Sequence, residues 1–236
     1  MADAIPLNDP SQGRITEGPT TSLVERTLEF VFSELATWRD DPARSAEDAE
    51  ERLNAQLCKY LNVAASDRFP MVFFHHEEKQ AGTRRVDMSA LSKSGIVLGL
   101  TYHSIYDPFI VFEGKRLPAP SADREREYVT GRTRKSGGIQ RFKLALHGAR
   151  QTTAAIVGYV QSGNLREWLS RINEWIGDEA LSKDTSAEDW SLAEQLLDFK
   201  EDAKLRIAVS SSAHPRDKSA VSPQIQLRHL WVAMVN

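Results

Sequence analysis

Cysteine and long apolar runs, which several classes of protein require, are scarce in this chain of 236 residues. Cys58 is the single cysteine, which excludes an internal disulfide and any cysteine-rich zinc site. No apolar stretch approaches the roughly 20 residues that a membrane helix needs. The first residues, MADAIPLNDPSQG, lack the basic start and the apolar core of a secretory signal. We therefore expect a cytoplasmic protein that does not enter a membrane.

A surplus of positive charge is also missing. The chain has 30 Lys and Arg residues against 33 Asp and Glu residues, and its net charge is −3. Proteins that hold nucleic acid without sequence preference are usually basic, so the overall charge argues against that role for the surface as a whole. The basic residues are unevenly placed, however, because residues 123–150 contain eight of them against three acids.

The apolar fraction of 41% and the charged fraction of 27% are typical of a globular α/β protein. We predict a flexible N-terminal arm over residues 1–19 and a single domain over residues 20–236. Capping residues, hydrophobic periodicity and turn residues define its elements. The predicted elements are helices at 23–38 and 45–62, a meander of three or four strands over 69–115, a helix at 139–146, a strand at 154–161, helices at 164–181 and 191–199, and strands at 205–212 and 225–235.

The stretch FIVFEGKRLP, from Phe109 to Pro118, places charged residues at the end of an apolar strand. Glu113 and Lys115 are two residues apart, so on a strand they share one face and lie about 6.6 Å apart. Burying a carboxylate and an ammonium group costs free energy unless each finds a partner. Either the two residues simply pair with each other, or they serve a metal ion and a reacting phosphate.

Further acids are needed for the second interpretation. Asp107 would lie about 20 Å from Glu113 along an extended chain, which is too far to share a metal ion. Asp87 belongs to a separate strand of the meander, and an antiparallel register would set it about 5 Å from Glu113. Glu50 falls on the same helix stripe as Leu53, where it is either a favourable helix-start acid or a buried functional acid.

Asp87, Glu113 and Lys115 are the groups that hydrolysis of a phosphodiester requires. Two carboxylates are hard oxygen ligands that favour Mg²⁺ or Mn²⁺, and the carbonyl of Gly114 is approachable as a further ligand. A bound metal ion polarises the phosphoryl oxygen and lowers the pKa of a bound water. The lysine can orient that water or stabilise the developing charge.

This order of elements and motifs resembles the PD-(D/E)xK nuclease superfamily, which has the restriction-endonuclease-like fold. The resemblance covers about residues 45–160 and implies an αβββαβ core with a mixed central sheet. An extra N-terminal helix, and a C-terminal helix plus strand pair, would surround this core. By resemblance, Asp87 and Glu113 bind the metal, Lys115 assists the nucleophile and Glu50 supports the site, while Gln140 matches a polar residue that faces the site in many members.

The resemblance implies a magnesium-dependent endonuclease, with Mn²⁺ as an alternative cofactor and DNA as the expected substrate. Later segments, among them REREYVTG and SSSAHPR, also resemble a bacterial branch of the superfamily without an assigned role. For that branch the resemblance suggests phage defence, with other subunits of a defence complex as partners. The residues expected to contact DNA phosphates, if they do not merely form a solvated surface, are Arg124, Arg126, Arg132, Arg134, Lys135 and Arg141.

Two other classes of protein fit the same residues. One is a nuclease-fold scaffold subunit without catalysis, and the other is an interaction protein in which Glu113 and Lys115 only pair. The neighbouring histidines in HHEE would point to opposite strand faces, which disfavours a shared zinc ion and leaves Glu77 as an outside candidate for a metal ligand. The segment SSSAHPR has no nucleophile elbow and no identifiable acid partner, so a serine-hydrolase triad is not predicted.

Overall fold

The computed structural model describes residues 22–80, 84–98, 101–131, 135–182 and 189–235. The arm predicted for residues 1–19 lies outside these ranges. The helices and strands are α1 (Leu23–Arg39), α2 (Glu50–Arg68), β1 (Val72–Lys79), β2 (Arg85–Ser92), β3 (Ile96–Leu98), β4 (Thr101–His103), β5 (Ile110–Leu117), α3 (Gly138–Lys143), β6 (Thr153–Val160), α4 (Leu165–Leu181), β7 (Leu197–Asp202), β8 (Ile207–Pro215) and β9 (Gln224–Ala233).

Seven of the strands form one mixed sheet in the order β1-β2-β5-β6-β9-β8-β7. The three strands β1, β2 and β5 pair antiparallel, β5, β6 and β9 pair parallel, and β9, β8 and β7 pair antiparallel. Strand β6 lies in the middle, and after its first residue it is buried throughout, as expected of a parallel strand covered on both faces. The end of β5, which carries the charged motif, therefore lies deep within the molecule.

Two apolar layers cover the two faces of the sheet. On one face, Val31 of α1 and Leu57 of α2 pack in the same cluster as Phe112 of β5. On the other face, Phe142 of α3 packs with Val111 of β5, together with the apolar stripe of α4. Because successive strand residues face opposite sides, the residue after Phe112 points toward the α3 layer. That residue is Glu113.

The structure confirms α1 and its start, because Ser22 Oγ accepts the backbone N–H of Glu25 at 3.2 Å. The predicted start of the second helix at Ser45 is wrong. The helix begins at Glu50 with no side-chain cap, and Ser45 Oγ instead accepts a hydrogen bond from Gln56 Nε2 at 2.9 Å. The helix also continues to Arg68 rather than ending near residue 62.

The meander consists of β1, β2 and β5, and the chain between β2 and β5 forms the separate hairpin of β3 and β4. The short helix predicted over residues 191–199 is wrong. Only Leu192–Glu194 forms a single 3₁₀ turn, and the following residues form the edge strand β7. Backbone pairing of β7 with β8 overrides the weak local helical preference there. Three C-terminal strands therefore replace the predicted strand pair.

None of the helices within the described ranges is long and apolar enough to cross a membrane.

Candidate active site

The predicted meeting of Asp87 and Glu113 follows from the register of β2 and β5. Met88 pairs with Phe112 in an antiparallel ladder, and this is its last pair at that end, so continuing the register by one residue sets Asp87 opposite Glu113. Asp87 Oδ2 accepts the backbone N–H of Gly114 at 2.7 Å. Where the backbone pairing of β5 with β2 ends, the carboxyl group of Asp87 thus accepts the next free N–H group of β5.

Glu50 approaches the same edge of β5 from the first turn of α2. Its Oε2 accepts the backbone N–H of Arg116 at 3.0 Å, and its Oε1 accepts a hydrogen bond from Lys115 Nζ at 3.0 Å. The N–H groups of Gly114 and Arg116 point to the same side of the strand, because the two residues are two positions apart. Two carboxylates from different elements therefore replace β2 as the hydrogen-bonding partner of this edge.

Glu113 is surrounded by nitrogen atoms. Its side chain is 1% exposed. Oε1 accepts a hydrogen bond from Arg141 Nη1 at 2.7 Å and lies 3.0 Å from Lys115 Nζ, while Oε2 lies 3.0 Å from His147 Nδ1. Burial opposes ionisation of this carboxyl group, but Lys115, His147 and Arg141 outweigh it and hold the pKa of Glu113 well below its usual range.

Lys115 is the positive centre of the site. Its Nζ also donates to the carbonyl oxygen of Gly114 at 2.9 Å, and the side chain is 7% exposed. Burial alone would lower the pKa of this amine, but the negative charges of Glu113, Glu50 and Asp87 outweigh it and raise the pKa above its usual value. Lys115 therefore stays protonated at neutral pH, so it can stabilise negative charge or orient a ligand but cannot act as a base.

Asp87 differs from Glu113 in the direction of its pKa shift. Burial, and then the charge of Glu113, raise the pKa of Asp87 to about 8, although Lys115 and the N–H of Gly114 act in the opposite direction. Asp87 is therefore mostly protonated at neutral pH, chiefly because burial disfavours its charged form. A cation placed between Asp87 and Glu113 would favour the ionised form of Asp87.

The donor set fits a hard divalent cation in chemical type, because it offers two carboxylates and the carbonyl of Gly114. The raised pKa of Asp87 is consistent with this, because a bound cation would supply the charge compensation that its ionised form lacks. Within the ranges that the structure describes, no group of three or more His, Cys, Asp or Glu side chains is arranged to hold a metal ion. Glu77, the outside candidate, forms an ion pair with Arg85.

Gln140, the expected polar residue of the following helix, lies buried on α3. Its Oε1 accepts the backbone N–H groups of Gly131 at 2.9 Å and Gly137 at 3.3 Å. The side chain therefore holds together the two ends of the loop that precedes α3.

An open groove of about 980 Å³ lies beside the site. Arg124, Arg126 and Arg141 line it together with their acidic neighbours. Arg124 donates to Glu127 at 2.6 Å, and Arg126 donates to an acid on α4 at 2.8 Å, so both guanidinium groups are partly neutralised. Two more of the predicted phosphate contacts, Arg132 and Arg134, lie outside the described residues, and Lys135 is exposed.

Sequence reasoning missed His147 entirely and did not foresee that Arg141 contacts Glu113. Both contacts depend on how α3 and the turn after it are placed, and the guanidinium group of Arg216 holds that turn in place. Arg216 donates to the carbonyl oxygens of Phe142, Gln151, His147 and Gly148, at 2.8 to 3.2 Å. No local sequence signal connects Arg216 to a turn about 70 residues earlier, because the link is made by tertiary packing.

A second polar cluster supplies the acid partner that the sequence did not reveal. Ser212 Oγ lies 2.6 Å from His214 Nε2, and His214 Nδ1 lies 2.7 Å from Glu194 Oε2. These are the contacts of a hydrolase triad, but the three residues are 4%, 0% and 1% exposed. A substrate cannot reach the serine, so this cluster is part of the core and is not a second active site.

Comparisons of the chain with models of known families, with curated proteins and with solved structures find no match.

Proposed function

We propose that the protein is a metal-dependent nuclease that hydrolyses phosphodiester bonds in DNA, and that its core is restriction-endonuclease-like. The observation that carries this proposal is the convergence of Glu50, Asp87, Glu113 and Lys115 from α2, β2 and β5 on one end of the central sheet. The order α2, β1, β2, β5, α3 and β6 also follows the αβββαβ pattern of that fold.

In this proposal Asp87, Glu113 and the carbonyl of Gly114 would hold Mg²⁺ or Mn²⁺. When bound, the ion would polarise the phosphoryl oxygen and lower the pKa of a bound water. Lys115 stays charged next to Glu113, where it stabilises the negative charge that develops on the phosphate. Glu50 keeps the amine of Lys115 in place through its 3.0 Å hydrogen bond.

The test is cleavage of plasmid and linear DNA by the purified chain with Mg²⁺ or Mn²⁺, and after addition of a chelator. We expect Glu113→Gln to reduce cleavage by about 100-fold or more, as loss of a metal ligand or a charge-stabilising group commonly does. Glu51→Gln is the matched control, because Glu51 is exposed on the same turn of α2 as Glu50. Cleavage that survives both the chelator and Glu113→Gln would reject the assignment.

One observation favours a second candidate, a nuclease-fold scaffold subunit without catalysis. Oε1 of Glu113 already accepts a hydrogen bond from Arg141, and Asp87 and Glu50 already satisfy backbone N–H groups. Titration with Mn²⁺ separates the two functions, because a scaffold would not bind the ion at this site. A role in phage defence beside other subunits is compatible with either function and stays a prediction from the resemblance.

A further inference from the structure

The three nitrogen groups around Glu113 differ in their freedom to leave it. The side chains of Lys115 and His147 are 7% and 1% exposed, so both are fixed within the core. The side chain of Arg141 is 29% exposed, and the residue also lines the open groove beside the site. Of the three groups, Arg141 is therefore the one that can move into solvent without unpacking the core.

Arg141 occupies space that a metal ion on Glu113 would need. Its Nη1 lies 2.7 Å from Oε1 of Glu113. A magnesium ion binds a carboxylate oxygen at about 2.1 Å, so an ion on the same oxygen would lie close to the guanidinium group. Two positive charges at that distance repel each other strongly in a buried site, and Arg141 and a metal ion therefore compete for the same carboxylate.

The groove offers Arg141 an alternative partner whenever a nucleic acid occupies it. Guanidinium groups bind phosphate oxygens in a bidentate manner, and Arg124 and Arg126 line the same groove. A phosphate there would attract Arg141 away from Glu113, since the two residues are joined by a single hydrogen bond to Oε1. The groove and the metal ligands are thereby connected through one side chain.

We propose that Arg141 is a latch that couples metal binding to substrate binding. In the free protein it pairs with Glu113 and keeps the metal site weak. A backbone phosphate of the substrate draws Arg141 into the groove, and Glu113 becomes available to the metal ion. This inference rests on the proposed function, and it adds that nucleic acid and metal bind cooperatively, each increasing the affinity for the other by the same factor.

The experiment measures Mn²⁺ affinity by calorimetry with the full chain and without nucleic acid. We expect Arg141→Gln to bind Mn²⁺ at least 10-fold more tightly than the wild-type chain, because the competing charge is gone. Arg150→Gln is the matched control, since Arg150 is 57% exposed and pairs with Asp107 rather than with Glu113, and its Mn²⁺ affinity should equal that of the wild type. A phosphorothioate duplex, which resists hydrolysis, should tighten Mn²⁺ binding to the wild type and leave Arg141→Gln unchanged.

The variants distinguish failure of the latch from failure of the proposed function. Equal Mn²⁺ affinity of the wild type and Arg141→Gln, with binding abolished by Glu113→Gln, would overturn the latch but leave the metal site standing. If Glu113→Gln does not weaken Mn²⁺ binding, whether it is made in the wild type or in Arg141→Gln, the metal site itself is overturned. Thermal unfolding of each variant checks the fold, and if Arg141→Gln does not fold, Arg141→Lys replaces it, with a smaller gain in affinity expected from its weaker hold on the carboxylate.

Discussion

At the scale of single residues, the main feature of the site is that buried acidic and basic side chains compensate each other's charge. One ammonium group, Lys115, contacts the carboxylates of Glu113 and Glu50 at 3.0 Å each. Removing one partner of a buried ion pair is costly because the remaining charges lose their compensation. The same groups that would perform chemistry therefore also contribute to stability.

Lys115→Met should lower the free energy of unfolding by about 3–5 kcal/mol, the range for breaking a buried ion pair. The amine would be lost while Glu113 and Glu50 stay in place, and the N–H and carbonyl groups of β5 would remain as they are. Urea denaturation of the wild type and the variant measures the difference. Lys59→Met, on the exposed face of α2, should change stability by less than about 0.5 kcal/mol. An unfolding midpoint for Lys115→Met equal to that of the wild type would show that the pair contributes nothing net.

At the scale of elements, sequence reasoning located the acids but not the nitrogens around them. Asp87 and Glu113 could be paired in advance because both lie on strands of a meander, where an antiparallel register follows from alternation and turns. Glu50 could be placed because its helix stripe faces the sheet. His147 and Arg141 could not, since their contacts depend on how α3 and the turn after it sit against β5. The strand β7 was missed for a similar reason, because its partner β8 lies later in the chain.

The turn after α3 provides a prediction at this scale. Arg216 donates to four carbonyl oxygens in and next to this turn. Burial lowers the pKa of Arg216 to about 10, so the group is still charged at neutral pH. Arg216→Met should destabilise the protein by about 2–4 kcal/mol, because several carbonyl groups would be left without a donor.

Hydrogen exchange supplies the measurement for Arg216→Met. We expect faster exchange for the amides around His147 and Gly148 than for those of β6, which lies in the middle of the sheet. Lys218→Met is the control, because Lys218 is exposed two residues further on. A uniform change across the protein, or none, would show that Arg216 does not hold this turn specifically.

At the scale of the whole molecule, a buried chain of hydrogen bonds connects the C-terminal strands to the loop before α3. Trp231 Nε1 donates to Tyr128 Oη at 2.8 Å, and Tyr128 Oη lies 2.8 Å from His229 Nδ1. Ser212 Oγ lies 2.7 Å from His229 Nε2 and 2.6 Å from His214 Nε2. The chain ends at Glu194, which also accepts from Lys143.

The two ends of this chain fix its direction. Trp231 can only donate, and the carboxylate of Glu194 can only accept. If both histidines are neutral, each group in between donates once to the next: the hydroxyl of Tyr128 to His229, His229 to Ser212, and Ser212 to His214. Every buried polar group in the chain is then satisfied. A proton added to His229 would give it two N–H donors, one facing Tyr128 and one facing Ser212. The hydroxyl of Tyr128 could then no longer donate to His229, and the continuous series of hydrogen bonds would be interrupted.

The contribution of the two histidines to stability should therefore fall as the pH drops below about 6.5, the ordinary value for histidine. Burial lowers the pKa of His214, although Glu194 partly opposes it, and burial with the charge of His214 lowers that of His229 further. Because the folded pKa values lie below the unfolded ones, the unfolded chain binds more protons in this window. The stabilisation is complete above the unfolded pKa and is lost as the pH falls, by up to about 1.4 kcal/mol per pH unit for each histidine.

Thermal unfolding between pH 8 and pH 5 measures this loss for the wild type and for His229→Gln, which cannot take up the proton. Below pH 6.5 the wild type should lose stability more steeply than His229→Gln, even though the variant starts from a lower unfolding temperature because its polar chain is interrupted. His75→Gln is the matched control: its imidazole is 56% exposed and lies 3.2 Å from Glu78, so its removal should leave the slope nearly intact. Parallel curves for the wild type and His229→Gln would show that His229 does not titrate with unfolding, and the hydrogen-bonded chain would then have to tolerate a protonated ring.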